Sequence, residues 1–74
     1  MVEFETLNAK EVKFGNNFIE IARKKVITQN GENEFVSISR GFYFQDKTKG
    51  WKGSITLPSD EKQLKEIATL ITTI

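Results

Sequence analysis

Apolar and polar residues alternate along much of residues 9–57, which is typical of half-buried β-strands. Turn-forming residues interrupt this pattern at 15–17, 30–33 and 46–50, and the second of these turns contains the Asn-Gly pair of many hairpins. Residues 1–8 are expected to form an irregular or edge segment. The pattern predicts four strands, at residues 9–14, 18–28, 34–45 and 51–57.

A different periodicity follows Pro58, which ends the sheet because it has no N–H for a strand ladder. Beyond it, apolar residues recur three and four positions apart and form one stripe, at Leu64, Ile67, Ala68, Ile71 and Ile74. Ser59 or Asp60 can cap the helix that this stripe predicts, at residues 59–74. The predicted fold of the single domain 1–74 is therefore α+β: a four-stranded antiparallel β-meander followed by one C-terminal helix (ββββα).

Four-residue loops at 30–33 and 47–50 would give the sheet one mainly apolar face, suited to be covered by the helix. In that register Arg23 lies directly opposite Arg40, and an anion would have to relieve their repulsion. The other face would carry Phe18, Lys24, Val26, Phe35, Ser37, Ser39, Tyr43, Lys52, Ser54 and Thr56. We expect it to be too polar and hydrated for a core and to serve as a binding surface or a wet interface. Gly41 is a candidate for a β-bulge.

The composition of the chain narrows the possible functions. A chain of 74 residues is hard to stabilise alone, and with no cysteine and no histidine it lacks disulfides and the usual zinc ligands. Self-association is the remaining common solution, so we expect a homodimer. No catalytic residue, metal site or cofactor site is predicted. The absence of a signal peptide or membrane span predicts a soluble, cytoplasmic protein, associated with the nucleoid if it is prokaryotic.

Positive charge is concentrated in the middle of the chain. Residues 9–57 contain nine basic and five acidic residues, a net charge of +4, although the whole chain carries only +1. Lysine and arginine neutralise phosphates, and aromatic rings stack on bases. These side chains are the candidate nucleic-acid-binding residues: Arg23, Lys24, Lys25, Arg40, Phe42, Tyr43, Phe44, Lys49, Trp51 and Lys52. An ordinary solvated surface with core aromatics would explain the same residues.

Two segments resemble a known family. Ile38 and Arg40 with the aromatics of 42–44, followed by Lys52-Gly53 and Leu57, are similar to the C-terminal domain of the eukaryotic transcriptional positive cofactor four and its bacterial and archaeal relatives. The resemblance covers residues 18–74. The aromatic stretch is one residue longer here, and one further residue is inserted after Gly53. The archaeal ThermoDBP-related single-stranded DNA-binding proteins are a second possible family.

The resemblance implies a curved sheet and a homodimer formed through the C-terminal helices. It also implies that basic, aromatic-lined strands hold single-stranded DNA. Arg40, one of the aromatics 42–44, and Lys52 correspond to nucleic-acid-contacting positions of that family. The sequence thus favours a non-enzymatic binder of single-stranded DNA or RNA with little sequence specificity. The alternative is a protein-interaction or dimerisation module that binds no nucleic acid.

Overall fold

The computed structural model describes residues 2–74, which fold into one antiparallel sheet followed by one helix. Neighbours in the sheet follow the chain order β1-β2-β3-β4, so the predicted ββββα fold is confirmed. The elements are β1 (Glu3–Phe14), β2 (Asn17–Thr28), β3 (Gly31–Tyr43), β4 (Lys49–Leu57) and α1 (Glu61–Thr73).

The first strand is longer than the sequence indicated. It begins at Glu3 rather than at residue 9, and it pairs with β2 along its whole length apart from an irregularity between Thr6 and Asn8. Residues 3–8 therefore belong to an edge strand, while Met1 lies outside the described residues. All twelve residues of β1 are exposed, because this strand has only one neighbour and little covers it.

The hairpin between β2 and β3 is tighter than predicted. Thr28 pairs with Gly31 across a two-residue turn, so the four-residue loop 30–33 is wrong. Gly31 has φ 131°, a conformation that side chains rarely adopt. Arg23 consequently lies opposite Val36 rather than Arg40, and the predicted repulsive arginine pair does not exist. The slip is four residues, an even number, so each side chain of β2 and β3 still points to its predicted face.

The turn between β3 and β4 lies at residues 44–48 rather than at the predicted 47–50, because Tyr43 pairs with Lys49. This turn is held by Asp46, whose Oδ1 accepts hydrogen bonds from the Thr48 backbone N–H at 3.1 Å and from the Thr48 hydroxyl at 2.7 Å. Further along, Arg40 pairs with Gly53 but Gly41 pairs with Trp51, so Lys52 is an extra residue in β4. A bulge thus lies beside Gly41, as expected, but its extra residue is in β4 and not in β3. Lys52 was predicted on the open face, which is wrong: its ammonium lies over the ring of Phe42 on the other side of the sheet.

The two faces of the sheet differ in burial. The helix face carries Ile19, Ile21, Arg23, Val36, Ile38, Arg40, Phe42 and Ile55, and the open face carries Phe18, Ala22, Lys24, Ser37, Ser39, Tyr43, Lys49, Trp51 and Ser54. The prediction that the open face is too wet for a core is wrong at its centre. Phe18, Ala22 and two serines are buried there, whereas Val36 is the buried residue of the helix face within residues 2–74. The alanine and serines are short, so their larger neighbours shield them.

The C-terminal helix touches the sheet only lightly. Asp60 is its N-cap, as predicted, and accepts a hydrogen bond from the Gln63 N–H at 3.3 Å. Leu64 lines a depression with Ile21 and Val36, but no residue of α1 is buried. The second half of its apolar stripe is exposed, at Ile71 and Ile74, and so is Leu70 beside the stripe. No helix within residues 2–74 is long and apolar enough to cross a membrane.

Candidate nucleic-acid interface

Three aromatic rings from neighbouring strands meet at one end of the open face. Phe18 of β2 is fully buried, and its ring centre lies 4.8 Å from Trp51 of β4 and 5.2 Å from Tyr43 of β3. Phe18 and Trp51 meet edge to face at 90°. Trp51 keeps 54% of its surface exposed. Phe18 is therefore the floor of this aromatic cluster, and Trp51 is its accessible ring.

Two lysines lie over the aromatic cluster. The Nζ atom of Lys49 is 4.9 Å from the centre of the Phe18 ring and 5.6 Å from that of Trp51. The Nζ atom of Lys13, on the edge strand, is 5.2 Å from the centre of the Tyr43 ring. Positive charge and accessible rings thus share one end of the sheet. Lys13 was not among the predicted binding residues. The two-residue turn at Gly15-Asn16, which pairs Phe14 with Asn17, places it opposite Phe18.

A carboxylate connects these groups. Glu11 Oε2 accepts a hydrogen bond from the Tyr43 hydroxyl at 2.7 Å and forms an ion pair with Lys49 Nζ at 3.4 Å. Burial and the bond to Glu11 raise the pKa of Tyr43 to about 12. The same hydrogen bond, together with Lys49, lowers the pKa of Glu11 from its ordinary value. At neutral pH the site therefore holds a protonated tyrosine beside an ionised glutamate. Glu11 was not among the predicted binding residues.

The middle of the open face is polar, and its far end is aromatic again. Ser39 donates a hydrogen bond to Ser54 across the strands at 2.9 Å. At the far end Phe4 and Phe35 meet edge to face with ring centres 6.4 Å apart. Lys24 is the register partner of Phe35, so a basic residue accompanies the rings at this end too.

The structure does not bring all ten predicted binding residues together, because side chains alternate between faces along each strand. Lys24, Tyr43, Lys49 and Trp51 belong to the open face. The others are on the helix face or beside it: Arg23, Lys25, Arg40, Phe42, Phe44 and Lys52. The basic run 23–25 is accordingly divided between the two sides of the sheet.

Several helix-face candidates already have partners. Arg23 pairs with Glu34 at 3.6 Å, and Lys25 pairs with Glu32 at 3.5 Å. Phe42 packs against Phe44 at 4.8 Å between ring centres, and the Lys52 ammonium lies 5.5 Å from the Phe42 ring centre. Arg40 is exposed beside an apolar groove lined by Ile19, Ile38 and Ile55. These residues form a second surface, separate from the aromatic cluster.

A comparison with protein-family models gave no match, and searches of curated proteins and of solved structures gave none either.

Proposed function

We propose that this chain binds single-stranded nucleic acid, preferably DNA, along the open face and without a catalytic role. The observation that carries the proposal is the exposed Trp51 ring beside Tyr43, with Lys13 and Lys49 over the same cluster. Stacking of a base on such a ring contributes about 1–3 kcal/mol, and lysines gain from releasing the counterions of phosphates. A duplex hides the faces of its bases, so this arrangement favours unpaired strands.

The aromatic pair Phe4 and Phe35 at the far end of the open face gives the bound nucleic-acid strand a path along the sheet. Lys24 lies six residues along β2 from Phe18, which corresponds to roughly 20 Å at the rise of an extended strand. A nucleic-acid strand held at the aromatic cluster would reach Phe4, Phe35 and Lys24 by crossing the middle of the open face. It would cross on the side of β3 and β4, at Ser39 and Ser54, because Glu11 and Glu20 occupy the β1–β2 side of the same row. The resemblance to the positive cofactor four family supports the same activity, with a role as an accessory factor in transcription, replication or repair in the cytoplasm or nucleoid.

The experiment is a comparison of labelled oligo-dT with a duplex of equal length by fluorescence anisotropy. We expect tighter binding of oligo-dT and weaker binding after Lys49→Gln. Lys65→Gln on α1 is the matched control, because Lys65 also pairs with a glutamate, at 3.0 Å to Glu61. Equal affinity for the single strand and the duplex, or an equal loss in both variants, would sink the proposal.

We further propose that two copies pair through the helix face. Leu70 and Ile71 of α1 and its C-cap residue Ile74 are exposed. The groove at Ile19, Ile38 and Ile55 is open and mostly apolar, with a volume of about 390 Å³. In a two-fold dimer each helix end could fill the partner's groove, which buries both apolar surfaces. Arg40 borders that groove, so it belongs to the edge of the dimer interface in this proposal.

Sedimentation tests the dimer. Together with the oligonucleotide measurement, it also distinguishes nucleic-acid binding from the alternative function. A dimer that dissociates on Ile71→Lys is the expected result, with Lys62→Ala on the same helix as a control. A protein that dimerises but binds no oligonucleotide would instead be an interaction module. The exposed apolar residues of α1 favour this alternative. A monomer at all concentrations would contradict the proposed pairing.

A further inference from the structure

Glu11 occupies a position that is unfavourable for a phosphate. Its carboxylate lies 3.4 Å from Lys49 Nζ, the same ammonium that lies over the Trp51 ring. Directly opposite Glu11, on the neighbouring strand, is a second glutamate, Glu20. Like charges repel, so the backbone of a strand stacked at the aromatic cluster would avoid this row of the sheet. The bases, rather than the phosphates, should therefore face Glu11.

An ionised carboxylate can accept hydrogen bonds but cannot donate them. The hydrogen bond from Tyr43 and the ion pair with Lys49 both involve Oε2, which leaves Oε1 with neither of these two partners. A base that presents an exocyclic amino group can donate to Oε1. A base that presents a carbonyl oxygen at the same position would be repelled.

We propose that Glu11 gives the open face a preference for bases with an amino group at that edge, so that cytosine is bound more tightly than uracil or thymine. This inference rests on the proposed single-strand binding and adds a specificity that the rings and lysines alone do not provide. Tyr43 and Lys49 act as positioning residues, because they fix the orientation of the carboxylate from two strands. Glutamate and aspartate accept from the cytosine amino group in other complexes for the same reason.

The test compares oligo-dC with oligo-dU of equal length at neutral pH, since these bases differ at the edge in question and not in ring size. We expect about fivefold tighter binding of oligo-dC for one such contact. Glu11→Gln should abolish most of this ratio, chiefly by improving the binding of oligo-dU, because an amide also donates. Glu66→Gln on α1 makes the same change in net charge and should leave the ratio intact.

The possible results distinguish a failure of the proposed role of Glu11 from a failure of single-strand binding itself. Equal binding of oligo-dC and oligo-dU by the unmodified protein would overturn the role of Glu11 while leaving single-strand binding in place. Binding of neither oligonucleotide would overturn both. A ratio that persists in Glu11→Gln would assign the preference to another residue and contradict the inference. The measurement on the unmodified protein does not depend on how well the variant folds.

Discussion

Gly41 is the position where one added methyl group should do the most damage. It lies in β3 beside the bulge, pressed between the backbone of β4 and the floor of the aromatic cluster. A Cβ atom placed there would clash with the Gly50 carbonyl oxygen and lie 2.7 Å from Cζ of Phe18. Neither neighbour can yield easily, since one is backbone and the other is a fully buried ring.

Overpacking of this kind costs about 1–3 kcal/mol, and two rigid neighbours place Gly41→Ala near the upper end of that range. For a domain of this size each kcal/mol lowers the melting temperature by about 4–8 °C. We therefore expect Gly41→Ala to melt roughly 12–24 °C below the unmodified protein. Displacement of Phe18 should also shift Trp51 and weaken oligonucleotide binding.

Thermal unfolding followed by circular dichroism, at one fixed protein concentration, measures this effect. Gly53→Ala is the matched control: it lies at the same bulge, opposite Arg40, but a Cβ there would meet nothing within 4 Å. We expect this control to change stability by about 0.5 kcal/mol at most. If Gly41→Ala melted at the same temperature as Gly53→Ala, the packing described for Phe18 would be wrong.

Three further predictions concern single groups. Tyr43 is the one tyrosine of the chain. Its pKa of about 12, against an ordinary 10.0, means that its contribution to stability is complete below pH 10.0 and is lost as the pH rises towards about 12. Absorbance titration should show this pKa, and Glu11→Gln should lower it part of the way, whereas an unshifted pKa would contradict the hydrogen bond. Asp60→Ala should destabilise α1 by about 1 kcal/mol, seen as lost helical dichroism without a change in Trp51 fluorescence. Lys47→Gly should raise the melting temperature, because Lys47 has φ 70°, and a lower temperature would argue against that turn.

The alternation of residues and the turn signals were enough to predict the order of elements and the faces of the residues in β2 and β3. They did not predict the face of Lys52, because the bulge in β4 changes the alternation there. They did not fix the register, because Asn30-Gly31 is compatible with more than one loop length. As a result, Arg23 was predicted opposite Arg40, whereas it pairs with Val36. This error did not change the face on which Arg23 lies. The length of β1 was missed for a related reason. An exposed edge strand carries no apolar face that would mark it in the sequence.

The candidate site was predicted in part. Tyr43, Lys49 and Trp51 were selected for their chemistry, and the sheet does bring them together. Alternation alone could have separated Lys24 from Arg23 and Lys25. Glu11 and Lys13 could not be found without the full pairing of β1 with β2, because neither belongs to a charged or aromatic run. The burial of Phe18 also needed the three-strand geometry, since its neighbours in sequence do not cover it.

The salt dependence of oligo-dT binding tests most directly whether the nucleic acid lies along the open face. Each phosphate contact contributes a slope of about −0.7 to the plot of log affinity against log salt concentration. The variant Lys13→Gln/Lys49→Gln should therefore reduce the slope by about 1.4, while Lys62→Gln/Lys65→Gln, with the same loss of charge on α1, should leave it unchanged. A slope that falls equally in both variants, or in neither, would contradict binding along the open face.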